Sequence, residues 1–242
     1  MTKKAIKVSP YKLESFGISD IGLSRSNNED VWAALPEKRF FALADGMGGH
    51  KAGEVAASMA IQSVCAAMAS LQNLPTVEEA CQLLRGAIAQ SNTKVFQESC
   101  QNPDYAGMGT TLSCFLMTQD HLVYAHVGDS RLYRYRGKLE QLTEDHSLSC
   151  ETTPPNSKMR HMITRAIGTY STILPDIGVI PLRPRDLYML CSDGLSDYVE
   201  ESKIALPLSS PLSLEEMGKK LVEAALKKGG NDNITLLLVK VT

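Results

Sequence analysis

Apolar positions along this chain fall in two textures, and the switches between them mark out the elements. Leu13 to Asp20 alternates weakly, the pattern of an edge strand. Behind Arg39, the short run to Ala44 is apolar throughout and predicts a buried strand ending at Asp45. Gly53 to Leu71 carries Ala, Met and Ile at helical spacing. Val77 to Cys100 repeats that spacing behind Pro75-Thr76, a helix start, so the two read as an αα pair. From Thr110 the period becomes that of strands, over Thr111–Met117, Leu122–Val127 and Arg131–Tyr135. Turns at Gln119-Asp120 and Gly128-Asp129-Ser130 make this an antiparallel meander. Residues 148–162 carry Pro154-Pro155 and no period, and read as a loop or flap. A strand over Leu187–Cys191, a helix over Leu214–Lys228 and a strand over Asn233–Val241 follow. Without a repeat or linker, residues 13–242 are expected to form one α+β domain, sheets inside and helices outside, behind a flexible arm of residues 1–12.

Acidic residues punctuate the strand ends: Glu29-Asp30, Asp45-Gly46, Asp129, Asp193-Gly194 and Asp232-Asn233. Carboxylates at such ends, with glycine letting backbone come close, suit hard divalent cations that take oxygen ligands. The six cysteines are widely spaced, without a C-x-x-C pair, and read as reduced thiols of a cytoplasmic protein. A net charge of -2 gives no reason to expect nucleic acid or an anionic membrane as partner. No signal peptide and no run of membrane-spanning length is expected.

Further motifs sit between the acids. Arg25-Ser26-Asn27-Asn28-Glu29-Asp30 sets a cation suited to phosphate beside two carboxylates. Asp45-Gly46-Met47-Gly48-Gly49-His50 follows a strand and opens a helix, yet fits neither the P-loop nor the dinucleotide pattern. Then come Gly107-Met108-Gly109-Thr110-Thr111, Val127-Gly128-Asp129-Ser130-Arg131, Leu142-Thr143-Glu144-Asp145-His146-Ser147, Ile163-Thr164-Arg165-Ala166-Ile167-Gly168, Cys191-Ser192-Asp193-Gly194 and Gly230-Asn231-Asp232-Asn233-Ile234-Thr235. In this order, from about Phe16 to the C-terminus, the series resembles the metal-dependent (type 2C) Ser/Thr protein phosphatases in their compact bacterial form.

The resemblance implies an α-β-β-α sandwich, two antiparallel sheets flanked by helix pairs, with a binuclear Mg²⁺ or Mn²⁺ centre at one end. By motif, Asp45 bridges both ions and the Gly46 carbonyl binds one. Asp193 and Asp232 hold one ion, and Glu29 and Asp30 the other, directly or through water. Asp129, with Asp193, forms a third, weaker site, and Arg25 grips the substrate phosphate. The implied activity is hydrolysis of phosphoserine and phosphothreonine in proteins by metal-activated water, opposing Ser/Thr kinases, by a monomer acting on phosphoproteins. Charge counting agrees: Asp30, Asp45, Asp193 and Asp232 carry a charge that two divalent ions neutralise. Ser130 and Ser192, near the acids, are expected to supply supporting hydrogen bonds around them rather than to act as nucleophiles.

Two departures stand out. Met47 occupies the position where eukaryotic relatives carry histidine, leaving His50, His146, His161 or metal-bound water as candidate proton donors. The 148–162 flap is shorter than in bacterial relatives. It is either a trimmed surface loop or an altered border of the substrate site.

Overall fold

The computed structural model describes residues 11–47, 52–148 and 162–242. Among them, two antiparallel sheets stack face to face. The first runs in the order β1 (Leu13–Asp20), β11 (Ile234–Val241), β10 (Leu187–Cys191), β7 (Arg131–Tyr135), β8 (Leu139–Gln141). The second runs β2 (Asp30–Leu35), β3 (Phe40–Met47), β5 (Leu112–Met117), β6 (His121–Val127), β9 (Asp176–Pro181), with the short β4 (Gly109–Thr110) beside β3. Helices α1 (Ala52–Ala69) and α2 (Val77–Gln101) cover the second sheet. The short α3 (Asp193–Ser196), α4 (Glu201–Ser209) and α5 (Leu214–Lys227) cover the first. This is the α-β-β-α sandwich.

Strand alternation separates three apolar layers. Phe40, Ala42 and Ala44 of β3 face α1 and α2, whereas Phe41 and Leu43 face the other sheet. On β11, Leu236 and Leu238 face the helices, and Leu237, Val239 and Val241 face inward. Both faces being buried explains why these strands read as continuous apolar runs. Thr76 caps α2 in a reciprocal box with Glu79, as Ser213 does for α5 with Glu216. α1 is long and apolar enough, by length and composition, to cross a membrane, contrary to the sequence expectation. Half of it is buried inside the domain, packed on β3 and α2, which accounts for its character.

Three further expectations need correction. The strand at Asp45 does not stop there but runs on to Met47, because β4 pairs with Gly46 and Met47. The meander is broken after β6: β7 pairs with β10 and β8 in the opposite sheet. Gly128-Asp129-Ser130 therefore carries the chain across the sandwich rather than back along it, with Gly128 at a φ of 112°. Lys12, assigned to the arm, exchanges two backbone hydrogen bonds with Thr242, of 2.8 and 2.9 Å. Residues 1–10, His50 and flap residues 149–161, including His161, lie outside the described residues.

Candidate metal centre

Register brings the acids to one end of the sandwich. Asp30 opens β2 and Asp45 lies near the end of β3, and the two are direct cross-strand partners. Phe41, Leu43 and Asp45 share one parity on β3, as do Asp30, Trp32 and Ala34 on β2, and that parity faces the other sheet. At the same end β6 leads to Asp129, β10 to Asp193, and Asp232 precedes β11. Where apolar side chains fill the gap between sheets, carboxylates replace them at its mouth.

Their charges act on one another. Burial, then repulsion from Asp30, Asp193, Asp129 and Asp232, pushes Asp45 well above the usual carboxylate range. Burial, then Asp129, Asp197, Asp232 and Asp30, does the same to Asp193. Asp30 is pushed up to about 6, by burial first, against opposing hydrogen bonds from Thr235 and Ser192. Asp129 is pushed up to about 7 by burial and by Asp197 and Asp145. The Asp30 Oδ1 atom is buried without a hydrogen-bond partner. Among the described residues no three His, Cys, Asp or Glu side chains already enclose a point as a metal cage. Even so, an all-oxygen donor set, excess negative charge and an orphaned carboxylate oxygen fit Mg²⁺ or Mn²⁺.

The supporting contacts cross between sheets. Ser192 Oγ donates to Asp30 Oδ2 at 2.8 Å and accepts from Thr235 N at 3.0 Å. Asp45 N donates to Thr111 Oγ1 at 2.9 Å, and Thr111 Oγ1 pairs with Ser130 Oγ at 2.8 Å. Both serines thus hydrogen-bond around the acids as expected. A Cβ on Gly46 would lie 2.1 Å from Gly53 O, so only glycine lets the first turn of α1 approach β3 here. Arg25 Nη2 donates to Asp232 Oδ2 at 2.7 Å, and its side chain remains 46% exposed, at the rim of the cluster. Glu29 is placed differently. Its Oε1 accepts from Asn27 at 3.0 Å, its carboxylate lies against Gly53, and it is not among the charges that bear most on Asp45.

Three participants escaped the sequence reading. Asp197, four residues beyond Asp193, adds a carboxylate whose charge bears on Asp129 and Asp193; its signal was the spacing Asp193-Gly-Leu-Ser-Asp197. Asn233 accepts from Glu29 N at 2.8 Å and donates to the carbonyls of Ile21 and Asn27, tying the Arg25–Asp30 loop to β11. Thr111 holds Asp45 through its hydroxyl, a role no spacing announces. His146, a candidate proton donor, is 4% exposed and bonded to Asp176, which removes it from that list.

The family model described as Protein phosphatase 2C matches residues 24–237. The chain belongs to the protein phosphatase 2C family. Among its relatives, the serine/threonine phosphatase stp of Listeria monocytogenes is 37% identical over 235 residues, 92% of this chain and 93% of that protein. The crystal structure of the Mycobacterium tuberculosis serine/threonine phosphatase PstP/Ppp superposes with a TM-score of 0.86 at 35% identity, over 94% of this chain and 98% of that one. A second structural neighbour is the catalytic domain of the serine threonine protein phosphatase PstP in complex with two manganese ions. It has a TM-score of 0.84 at 35% identity, over 95% and 98% of the two chains.

Proposed function

We infer that this protein phosphatase 2C member is a metal-dependent protein-serine/threonine phosphatase that removes phosphate from phosphoserine and phosphothreonine, opposing Ser/Thr kinases. The observation that carries this reading is the gathering of Asp30, Asp45, Asp129, Asp193 and Asp232 at one end of the sandwich, two of them pushed far above the normal carboxylate range. In this reading Asp45 would serve both ions, the Gly46 carbonyl and Asp30 one of them, Asp193 and Asp232 the other, and Glu29 would act through water. Asp129 and Asp193 would hold a weaker third ion. When bound, the ions supply a nucleophilic water of lowered pKa and charge neutralisation at the phosphoryl group.

The remaining work falls to the chain. Ser192 fixes one Asp30 oxygen and leaves Oδ1 free to ligate. Arg25, charged at all working pH, is exposed on one side and held by Asp232 on the other, so it can fork onto a phosphate at the rim. The free thiols among the described residues suit a reducing cytoplasm, where phosphoproteins are the substrates and the enzyme acts as a monomer. Assay of the purified protein on a phosphothreonine peptide tests the reading. Activity should vanish in EDTA and return with Mn²⁺ or Mg²⁺; full turnover in metal-stripped buffer would refute it.

A further inference from the structure

The Leu142–Ser147 segment meets the crossing turn through His146. Its backbone N donates to Gly128 O at 2.8 Å, and Gly128 N donates to its ring Nδ1 at 3.1 Å. Both polar backbone groups of Gly128, the residue before Asp129, are therefore held by one histidine. Across the turn, a Cβ on Gly128 would lie 2.6 Å from the Thr111 side chain, so the turn has no slack on that side. A backbone N–H can only donate, so Nδ1 is unprotonated and the proton sits on Nε2. That Nε2 faces Asp176 Oδ2 at 3.1 Å, and Asp176 is steadied by Arg165 at 2.8 Å. The His126 ring lies against that of His146, tilted by 44° with the centroids 4.7 Å apart, and His126 Nε2 donates to Glu144 O at 3.1 Å. Thr164 N donates to His146 O at 2.7 Å, so the residue also anchors the segment beyond the flap.

We propose that His146 is a positioning residue: by clamping both backbone groups of Gly128, it aims the Asp129 carboxylate at Asp193. The proposal rests on the reading of Asp129 as a metal-site residue. A histidine that merely filled space would show the same burial but would not need a defined tautomer, and the two ring nitrogens would be equivalent in effect.

Asn and Gln at position 146 separate the nitrogens. The Asn carbonyl replaces the acceptor near Nδ1, and the Gln amide replaces the donor near Nε2. Peptide hydrolysis is measured against Mn²⁺ concentration, beside Gly128 amide exchange by NMR. His146→Gln should raise the Mn²⁺ midpoint by about tenfold, the scale for a lost supporting contact at a metal site. It should also speed exchange of the Gly128 amide. His146→Asn should stay within about twofold of wild type on both readouts. Should the Gln variant not fold, Asp176→Ala removes the partner that fixes the Nε2 proton from a side chain 44% exposed, and should move both readouts the same way by about threefold. Equal effects of Asn and Gln, or unchanged Gly128 exchange in Gln and Asp176→Ala, overturn the proposal. Asp129→Asn is run alongside. An unchanged Mn²⁺ midpoint there refutes the metal assignment of Asp129, while Gly128 exchange still decides the role of His146.

Discussion

Asp45 is the residue at which strand pattern and chemistry meet. Its parity points it into the inter-sheet gap, where each preceding residue of that parity is apolar, and its partner on β2 is another acid. Removing its charge should have opposite effects on stability and activity. In EDTA, Asp45→Asn and Asp193→Asn should each raise stability by about 1–2 kcal/mol, because a partly buried, repelled carboxylate becomes neutral. In Mn²⁺ each should lose roughly 100-fold or more in kcat. Urea melts and steady-state kinetics on the same preparations check both halves; unchanged stability in EDTA would mean that the carboxylates are not crowded. Arg25→Ala should lose roughly 2–4 kcal/mol in kcat/KM, with partial recovery in Arg25→Lys. A surface ion pair alone would cost about 0–1 kcal/mol. Because Arg25 occupies Asp232 Oδ2, its removal should leave Mn²⁺ affinity equal or higher, as calorimetry can show. These residues were legible because each sits in an acid-glycine or Arg-acid segment. Thr111, Asn233 and Asp197 were not, since a supporting hydroxyl, amide or i+4 acid looks like any loop polar residue until folded.

At the scale of elements, strands β1, β10 and β11 and helices α1, α2 and α5 could be read within a residue or two of their ends. Their signals differ: β10 and β11 are buried on both faces, β1 alternates weakly as an edge strand, α1 is a long run of small apolar residues, and α2 and α5 open with capping boxes. β2, β9 and α4 were missed for physical reasons. β2 and β9 are short and only partly buried, without a two-residue alternation, β9 also contains Gly178 and Pro181, and α4 carries Pro207 inside its last turn. The false meander has a different cause. Whether β7 folds back on β6 or crosses to β10 depends on long-range pairing, which local periodicity does not encode. The crossing is decided at Gly128, where a side chain is excluded twice over, by φ and by Thr111. Gly128→Ala should cost about 1–3 kcal/mol of stability and depress activity at limiting Mn²⁺ more than at saturation. Thermal melts and an Mn²⁺ titration measure the two; a neutral melt would contradict the crossing geometry.

For the whole molecule, the raised carboxyls and a lowered histidine make stability depend on pH and metal together. Asp30 and Asp129, at about 6 and about 7 when folded, lie above the ~4 of an unfolded carboxyl. The folded state thus holds these protons longer, and stability without metal falls as pH rises from ~4 towards ~7. His126 acts oppositely. Burial lowers it to about 4 from the ~6.5 of the unfolded chain, so its contribution is lost as pH falls from ~6.5 towards ~4. In EDTA the two trends oppose. Bound Mn²⁺ displaces the carboxyl protons and removes the first trend. The gap in Tm between Mn²⁺ and EDTA should therefore widen from about pH 5 to about pH 7.5, and a constant gap would contradict it.

The most direct test of the central claim, that the acids at the mouth of the sandwich form a divalent metal centre, is an anomalous difference map from Mn²⁺-soaked crystals. Two strong peaks should appear within ligand distance of the Asp45 carboxylate, one also touching Asp193 and Asp232 and the other on the side of Asp30 and the Gly46 carbonyl. Manganese bound elsewhere, or no peak within reach of Asp45, would contradict the account.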